Sequence, residues 1–300
     1  MRGTQGWFRF GGFALQPSEF AKLALIVSLA VVFQGSPRAR ALGTPRPGAA
    51  KFGLSVALLA VPTLLVLAQG ESGTVLVYCA ITLGMMTAAG VPARYLVLLA
   101  ASGLLAISLA LSAGVLAQYQ VDRFEAFLDA DLDPQGVGYN QQQAITAIGS
   151  GGFTGAGLFD GPQTQLGYLH DQHTDFIFAA VAEELGFFGA AALLALEAAI
   201  LFFVYQVGQE ARDRFARLLC AGVFAFLAFH VFQNVAMNLR LMPITGISLP
   251  FVSYGGSSLV TSLLAVGLVQ SVAVHRTAKE DVHRALSDWG QSNRSGRQVR

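Results

Sequence analysis

Charge is what this chain has least of: 12% of its 300 residues are Asp, Glu, Lys or Arg, against the roughly 25% carried by soluble domains. With 54% of residues in the AVILMFWYC set, a water-soluble fold is excluded. Net charge is +1, and no basic run is interleaved with aromatics as a nucleic-acid-binding face requires, so the sequence argues for no nucleic-acid partner. Cysteine is scarce too. Cys79 and Cys220 lie inside apolar stretches without metal-ligand or disulfide spacing, and read as small buried hydrophobes. A cleavable signal peptide is also missing, since Met1 to Gln16 holds Gly, Gln and Arg where an apolar core belongs.

What is present is a series of long apolar runs. A bilayer core needs about 20 mostly apolar residues per helix, and seven stretches qualify: 17–35, 52–68, 74–91, 95–117, 176–205, 215–237 and 257–275. The expected fold is therefore an all-α polytopic membrane protein. Pro62 falls inside the second span, where neighbouring helices can satisfy the carbonyl it frees, so that span stays whole. Short cytoplasmic loops retain Lys and Arg. Arg38, Arg40, Arg46 and Lys51, Arg94, the group Arg212, Arg214 and Arg217, and a tail with Arg276, Lys279, Arg284, Arg294, Arg297 and Arg300 fall on one side if the helices alternate. That side is the expected cytoplasm. The expected domains are a membrane domain over 1–275, with an extracytoplasmic loop at 118–175, and a basic cytoplasmic tail over 276–300. This topology puts Met1 outside with nothing to translocate it, so upstream helices are expected.

The loop gathers Asp122, Glu125, Asp129, Asp131, Asp133, Asp160, Asp171 and Asp175 against one basic residue, Arg123. Loops beyond about 15 residues are usually functional or disordered, and Phe124, Phe127, Leu128, Phe153, Phe159 and Tyr168 supply area to bury. Tyr139 to Ser150 can form a short helix that runs into Gly149, Gly151, Gly152, Gly155 and Gly157. Those glycines suit close backbone approach to a ligand, or turns in an ordered lid. Asp175, in His173-Thr174-Asp175-Phe176, stands where polar sequence meets an apolar helix. Partial desolvation there raises a carboxylate's pKa and suits it to act as a general base; an N-cap is the competing role. Within spans, Glu183 and Glu184 fall roughly 12 to 14 Å below Asp175 along a helix. Glu19 and Lys22 are spaced to pair on one helix face, while Glu197 and His230 read as lone polar groups satisfied by neighbouring helices. The run from Leu241 to Ser258, with two prolines, predicts irregular backbone lining a cavity at membrane depth.

These motifs resemble the SEDS (shape, elongation, division and sporulation) family of membrane peptidoglycan glycosyltransferases. The matching pieces are Gln16-Pro17-Ser18-Glu19 with Lys22, the run Asp129 to Tyr139, Ala147 to Gly152, Gln163-Thr164-Gln165-Leu166, His173 to Phe178 with Glu183-Glu184-Leu185-Gly186, and Pro243 to Ser258. They stand in the family's order over nearly the whole chain. Gln163 to Leu166 and Pro243 to Ile247 resemble the elongation branch most. The family has ten spans, of which seven would be present here, with the first three lacking. Departures occur at Gly3 to Trp7, where an arginine is lost, at Gln69 to Thr74, where Glu71 replaces Asp, and at Leu169 to Phe176, where Asp171 stands for Glu.

The resemblance implies polymerisation of lipid II, a polyprenyl-pyrophosphate disaccharide-pentapeptide, into glycan strands during cell elongation. Asp175 would take the acceptor sugar's 4-hydroxyl proton while that oxygen attacks the donor's anomeric carbon and the pyrophosphate departs. The resemblance makes Lys22, Glu19, Arg123, Gln165, His173, Thr174, Ser257 and Ser258 candidate substrate-binding residues, with Glu183, Glu184 and Glu71 structural or adjoining the site. Arg123, Lys22 or a divalent cation would offset pyrophosphate charge; no residue spacing specifies a metal. Implied partners are a class B penicillin-binding protein and other membrane proteins of the elongation machinery. A lipid flippase and a non-catalytic cell-wall scaffold remain alternatives, as do division or sporulation paralogues.

Overall fold

A computed structural model describes residues 6–10, 13–35, 47–112, 121, 123, 127, 137–169 and 171–295, without side chains for 276–295. Asp122, Phe124, Glu125, Leu128, Asp129, Asp131, Asp133 and His170 lie outside the described residues, as do Arg38, Arg40, Arg46, Arg297 and Arg300, most of the run 129–139 and residues 1–5.

The apolar runs fold as helices close to their expected limits. They are α1 (Pro17–Gln34), α2 (Ala49–Ala68), α3 (Ser72–Ala88), α4 (Ala93–Ser112), α5 (Val137–Gly151), α6 (Pro162–Gln165), α7 (Ile177–Glu210), α8 (Arg214–Asn238) and α9 (Gly256–Ser295). Six are long and apolar enough to cross a membrane, within α9 only over Gly256–His275, and α3 is a shorter apolar helix of 17 residues. Pro17 opens α1 at a position where no backbone N–H is needed, and Pro62 sits inside a continuous α2. The sequence placed no strand near the N-terminus. There β1 (Phe8–Phe10) pairs antiparallel with β2 (Phe13–Leu15), Phe8 opposite Leu15.

The core lies where α1, α3 and α8 meet, around Ile26, Leu29, Phe33, Tyr78, Ile81, Met85, Val223 and Phe226. Small residues set the spacing. A Cβ on Gly84 would come within 2.6 Å of the Ala225 Cβ, and one on Gly222 within 2.6 Å of Ile26, so these helices approach as closely as backbones permit. The outer spans present Leu64, Leu65, Leu104 and Phe203 outward, as a surface facing hydrocarbon requires.

The span expected as one helix over 176–205 is broken. Gly186 takes φ 67°, ψ −166° inside α7, a conformation open mainly to glycine. In an unbroken helix the Phe187 and Phe188 amides would bond the carbonyls of Glu183 and Glu184. Here the Phe187 amide donates to Gly152 O (2.9 Å) and Phe188 to Phe153 O (3.2 Å), while Ala156 and Gly157 donate to the carbonyls of Glu183 (3.0 Å) and Glu184 (3.1 Å). Two internal bonds are exchanged for four to the loop after α5, so the amides of Phe187 and Phe188 and the carbonyls of Glu183 and Glu184 all keep partners at the break. The contact demands glycine on both sides: a Cβ on Gly155 would meet Glu184 O at 2.1 Å, and one on Gly186 would meet Gly155 N at 2.3 Å. The glycine cluster thus makes its close approach to the chain itself, at the broken span.

Candidate functional site

Asp175 ends a tight turn that leads into α7. Asp171 adopts φ 56°, and its carbonyl collects the amides of Thr174, Asp175 and Phe176 at 3.0, 3.1 and 3.2 Å, with the Thr174 hydroxyl at 3.2 Å. From the other side, Asn234 and Asn238 of α8 donate to the Asp175 carbonyl at 2.9 and 3.1 Å. Ser253 donates to Thr174 O and the Tyr254 amide to His173 O, each at 2.7 Å. The backbone of 173–175 is thereby clamped by α8 and the loop that follows it. The side chain is left for other work, since the residue capping α7 is Phe176 and no side chain caps it. The N-cap role open to Asp175 in the sequence is not the one taken.

The Asp175 carboxylate lies against Gly246, where an added Cβ would stand 3.5 Å from Oδ2. Its pKa is raised from 3.8 to about 6, chiefly by burial and next by the neighbouring Asp171 charge, with the Arg123 guanidinium opposing both. A carboxylate tuned toward neutrality can exist as the free base at physiological pH while holding a proton well, as general-base chemistry requires.

A second polar cluster lies within the spans. Lys22 Nζ donates to Glu19 Oε1 at 2.6 Å, bearing out the pairing expected from their spacing. It also lies 3.1 Å from His230 Nε2 and 5.5 Å from the Phe226 ring centre. His230 Nδ1 is 3.0 Å from the Ser248 carbonyl, and the Ser248 hydroxyl pairs with that of Ser258 at 2.6 Å. Lys22 is 1% exposed, so no face of it is open to solvent. Nearby, Glu71 joins helix starts: Gln16 Nε2 donates to it at 2.8 Å and the Ser18 hydroxyl at 3.1 Å, while the Gln16 amide donates to Ser257 Oγ at 3.0 Å.

Between the clusters runs one polar stripe of α8. His230, Asn234 and Asn238 recur every four residues, and Gln233 lies beside them. Asn234 donates to Ile247 O at 2.8 Å, Gln233 to Thr245 Oγ1 at 3.1 Å, and Gln141 of α5 reaches the carbonyls of Met237 and Met242 at 3.0 Å each. Apart from the Met237 carbonyl, which belongs to α8, the groups these amides reach lie in the non-helical run 239–255, which is how irregular backbone survives at membrane depth. The expectation that a neighbouring helix satisfies His230 holds, through Lys22 of α1, but sequence reasoning did not single out the stripe. The four-residue recurrence of polar groups in an apolar helix was the available signal.

The remaining candidates fall elsewhere. Glu183 is fully buried, and its carboxylate accepts the amides of Gln163 (2.6 Å) and Thr164 (3.1 Å), joining α6 to α7. Glu184 is half-buried at the helix break, and its carbonyl is used there. Gln165 is exposed and donates to the Phe159 carbonyl. Among the described residues no group of three His, Cys, Asp or Glu could hold a metal ion. Two surface grooves lie apart from Asp175: about 520 Å³ beside Arg94 and Tyr95, and about 440 Å³ of apolar space between α1 and α9, lined by Leu23, Val260, Leu263 and Leu264.

Comparison with known proteins gives one answer throughout. The cell cycle protein family of FtsW, RodA and SpoVE matches residues 1–278. A probable peptidoglycan glycosyltransferase FtsW of Trichlorobacter lovleyi is 36% identical over 274 residues, covering 91% of this chain and 69% of the relative. The peptidoglycan glycosyltransferase MrdB of Escherichia coli is 36% identical over 283 residues, covering 92% and 72%. Stage V sporulation protein E of Bacillus subtilis is 34% identical, covering 90% and 72%. Among solved structures, a chain of a peptidoglycan synthase complex superposes with TM-score 0.69 at 32% identity, over 92% of this chain and 75% of that one. The rod shape determining protein RodA of Thermus thermophilus does so with TM-score 0.62 at 30% identity, over 92% and 70%.

Proposed function

The chain belongs to the SEDS family, the cell cycle proteins FtsW, RodA and SpoVE, and from that premise we propose how its residues carry out glycan polymerisation. It is a multi-pass membrane protein and a peptidoglycan glycosyltransferase, as its relatives are named. Our reading is that Asp175 is the general base. It accepts the proton of the acceptor sugar's 4-hydroxyl as that oxygen bonds to the anomeric carbon of a lipid II donor. The bond from that carbon to the pyrophosphate oxygen breaks, and the polyprenyl pyrophosphate leaves. Direct attack inverts the anomeric centre, and one base suffices with so good a leaving group.

One observation carries this: a half-buried Asp175 at the mouth of a span, held by its backbone, whose carboxylate has its pKa raised to about 6, chiefly by desolvation. His173, Thr174 and Gln165 line the approach on our reading, and Arg123 supplies positive charge near the base. Glu19, Lys22, Ser257 and Ser258 support the same surface from beneath. Charge placement favours 118–175 on the outer side and the tail from 276 in the cytoplasm. The relatives include division and sporulation proteins; we assign the elongation role on Gln163 to Leu166 and Pro243 to Ile247. A class B penicillin-binding protein is the partner we propose, in keeping with the synthase complex among the similar structures.

The test is Asp175→Asn in the full chain, with lipid II and the partner synthase present. Glycan chain growth is expected to stop while the protein stays folded, and undiminished growth would remove Asp175 from the base role. Movement of labelled lipid II across vesicles without polymerisation would favour the flippase.

A further inference from the structure

His230 is 2% exposed inside a span, and the mechanism above gives it no task. Its two nitrogens face groups of opposite kind. Nδ1 lies 3.0 Å from the Ser248 carbonyl, which can only accept, and Nε2 lies 3.1 Å from the Lys22 ammonium, which can only donate. One state of the ring satisfies both: a neutral imidazole with its proton on Nδ1. An imidazolium would set N–H against the ammonium, and the other tautomer would also leave the carbonyl unmet. The ring packs edge-on against Phe226, with centroids 4.7 Å apart and planes at 72°, which fixes its orientation. One turn along α8, Asn234 holds the adjacent loop carbonyl, Ile247 O, together with Asp175 O. Two successive loop carbonyls are thus gripped by α8 side chains four residues apart, one tied to Lys22 and the other to Asp175.

We propose that His230 is a positioning residue for the glycosyl transfer, coupling the Glu19–Lys22 pair to the Ser248 carbonyl and so fixing the loop that lays Gly246 against the Asp175 carboxylate. It touches no substrate and acts through the loop. The proposal rests on the reading of Asp175 as base. It assigns a role to an intramembrane ionisable residue, which is costly to keep without one.

The experiment compares His230→Asn, His230→Gln and His230→Ala in the full chain with its partner synthase, measuring kcat and KM for lipid II beside thermal stability. Asn places an N–H where Nδ1 stands and keeps the loop contact; Gln places its polar end where Nε2 stands and keeps the Lys22 contact. Loop positioning predicts that Asn stays within about threefold of wild type. Gln and Ala should lose kcat by tens of fold with little change in KM, because a misplacement of about 1 Å at a reacting site costs up to a hundredfold. Full turnover in a folded His230→Ala protein, Gln outperforming Asn, or losses that only follow the melting temperature would each overturn the proposal. If the substitutions prevent folding, ¹⁵N-histidine NMR decides. In a chain whose four other histidines are replaced by Gln, His230 should show a protonated Nδ1 and an unprotonated Nε2. An Nε2–H tautomer or an imidazolium would overturn the contact. Since neither readout uses Asp175→Asn, failure of the base assignment stays distinct from failure of this one.

Discussion

Asp175→Asn should make the protein more stable while abolishing its chemistry, and the size of the gain follows from the site. In the folded chain the carboxyl binds its proton with a pKa of about 6, against 3.8 when unfolded, chiefly because burial penalises the charge. Between those values the folded state holds more protons than the unfolded one. Stability from this group is therefore fully present below about pH 3.8 and is lost as pH rises through about 6. A tenfold change in proton affinity is worth about 1.36 kcal/mol, so keeping Asp175 ionised costs roughly 3 kcal/mol at pH 8. Asn matches the shape and never ionises. Thermal unfolding of detergent-solubilised protein from pH 4 to 8 measures the difference. The Asn variant should be more stable by up to about 3 kcal/mol at pH 8, with the gain vanishing toward pH 4, where the wild type is neutral too. A variant less stable at pH 8, or a gain that persists at pH 4, would refute desolvation as the source of the tuning.

The acid limb of kcat/KM should lie near pH 6; it should move to higher pH in Arg123→Gln and to lower pH in Asp171→Asn, because these charges respectively lower and raise the pKa of Asp175. Coincident profiles for all three proteins would separate the base from its neighbours. Glu183→Gln loses one acceptor facing two backbone amides and should cost about 1 to 3 kcal/mol of stability; a variant that melts normally but is dead would instead place Glu183 in the chemistry. Gly186→Ala forces a Cβ against Gly155 N and Phe153 O and should release the 152–160 loop to limited proteolysis, and unchanged protection would contradict the docking described.

Hydropathy was enough to find the spans, because a bilayer demands long apolar runs whatever the helices pack against. It could not find the break in α7. A single Gly186 in an apolar run is tolerated by an unbroken helix, and what opens the helix is a loop about thirty residues upstream whose backbone replaces the lost bonds. The loop glycines were visible but their target was not, since sequence shows the freedom to approach and not the surface approached. Asp175 was legible from its place at a polar-to-apolar boundary. Its release from capping depended on Asn234 and Asn238, which lie some sixty residues away. Lys22 and Glu19 announced their pairing through spacing, whereas His230 joined them across α8 and α1, a contact that no local pattern records.

The exchange of hydrogen bonds at Gly186 also decides which pieces of this protein can be transplanted. Because the loop after α5 completes the backbone of a span, the loop and the span are a single heritable part. A hybrid between elongation and division relatives that joins one parent's loop to the other's helix within 151–188 would have to match four backbone bonds and two glycine contacts across the junction. Junctions before α5 and after α7 avoid that demand, so the segment from Val137 to Glu210 is the natural unit to exchange when asking what sets one branch of the family apart from another.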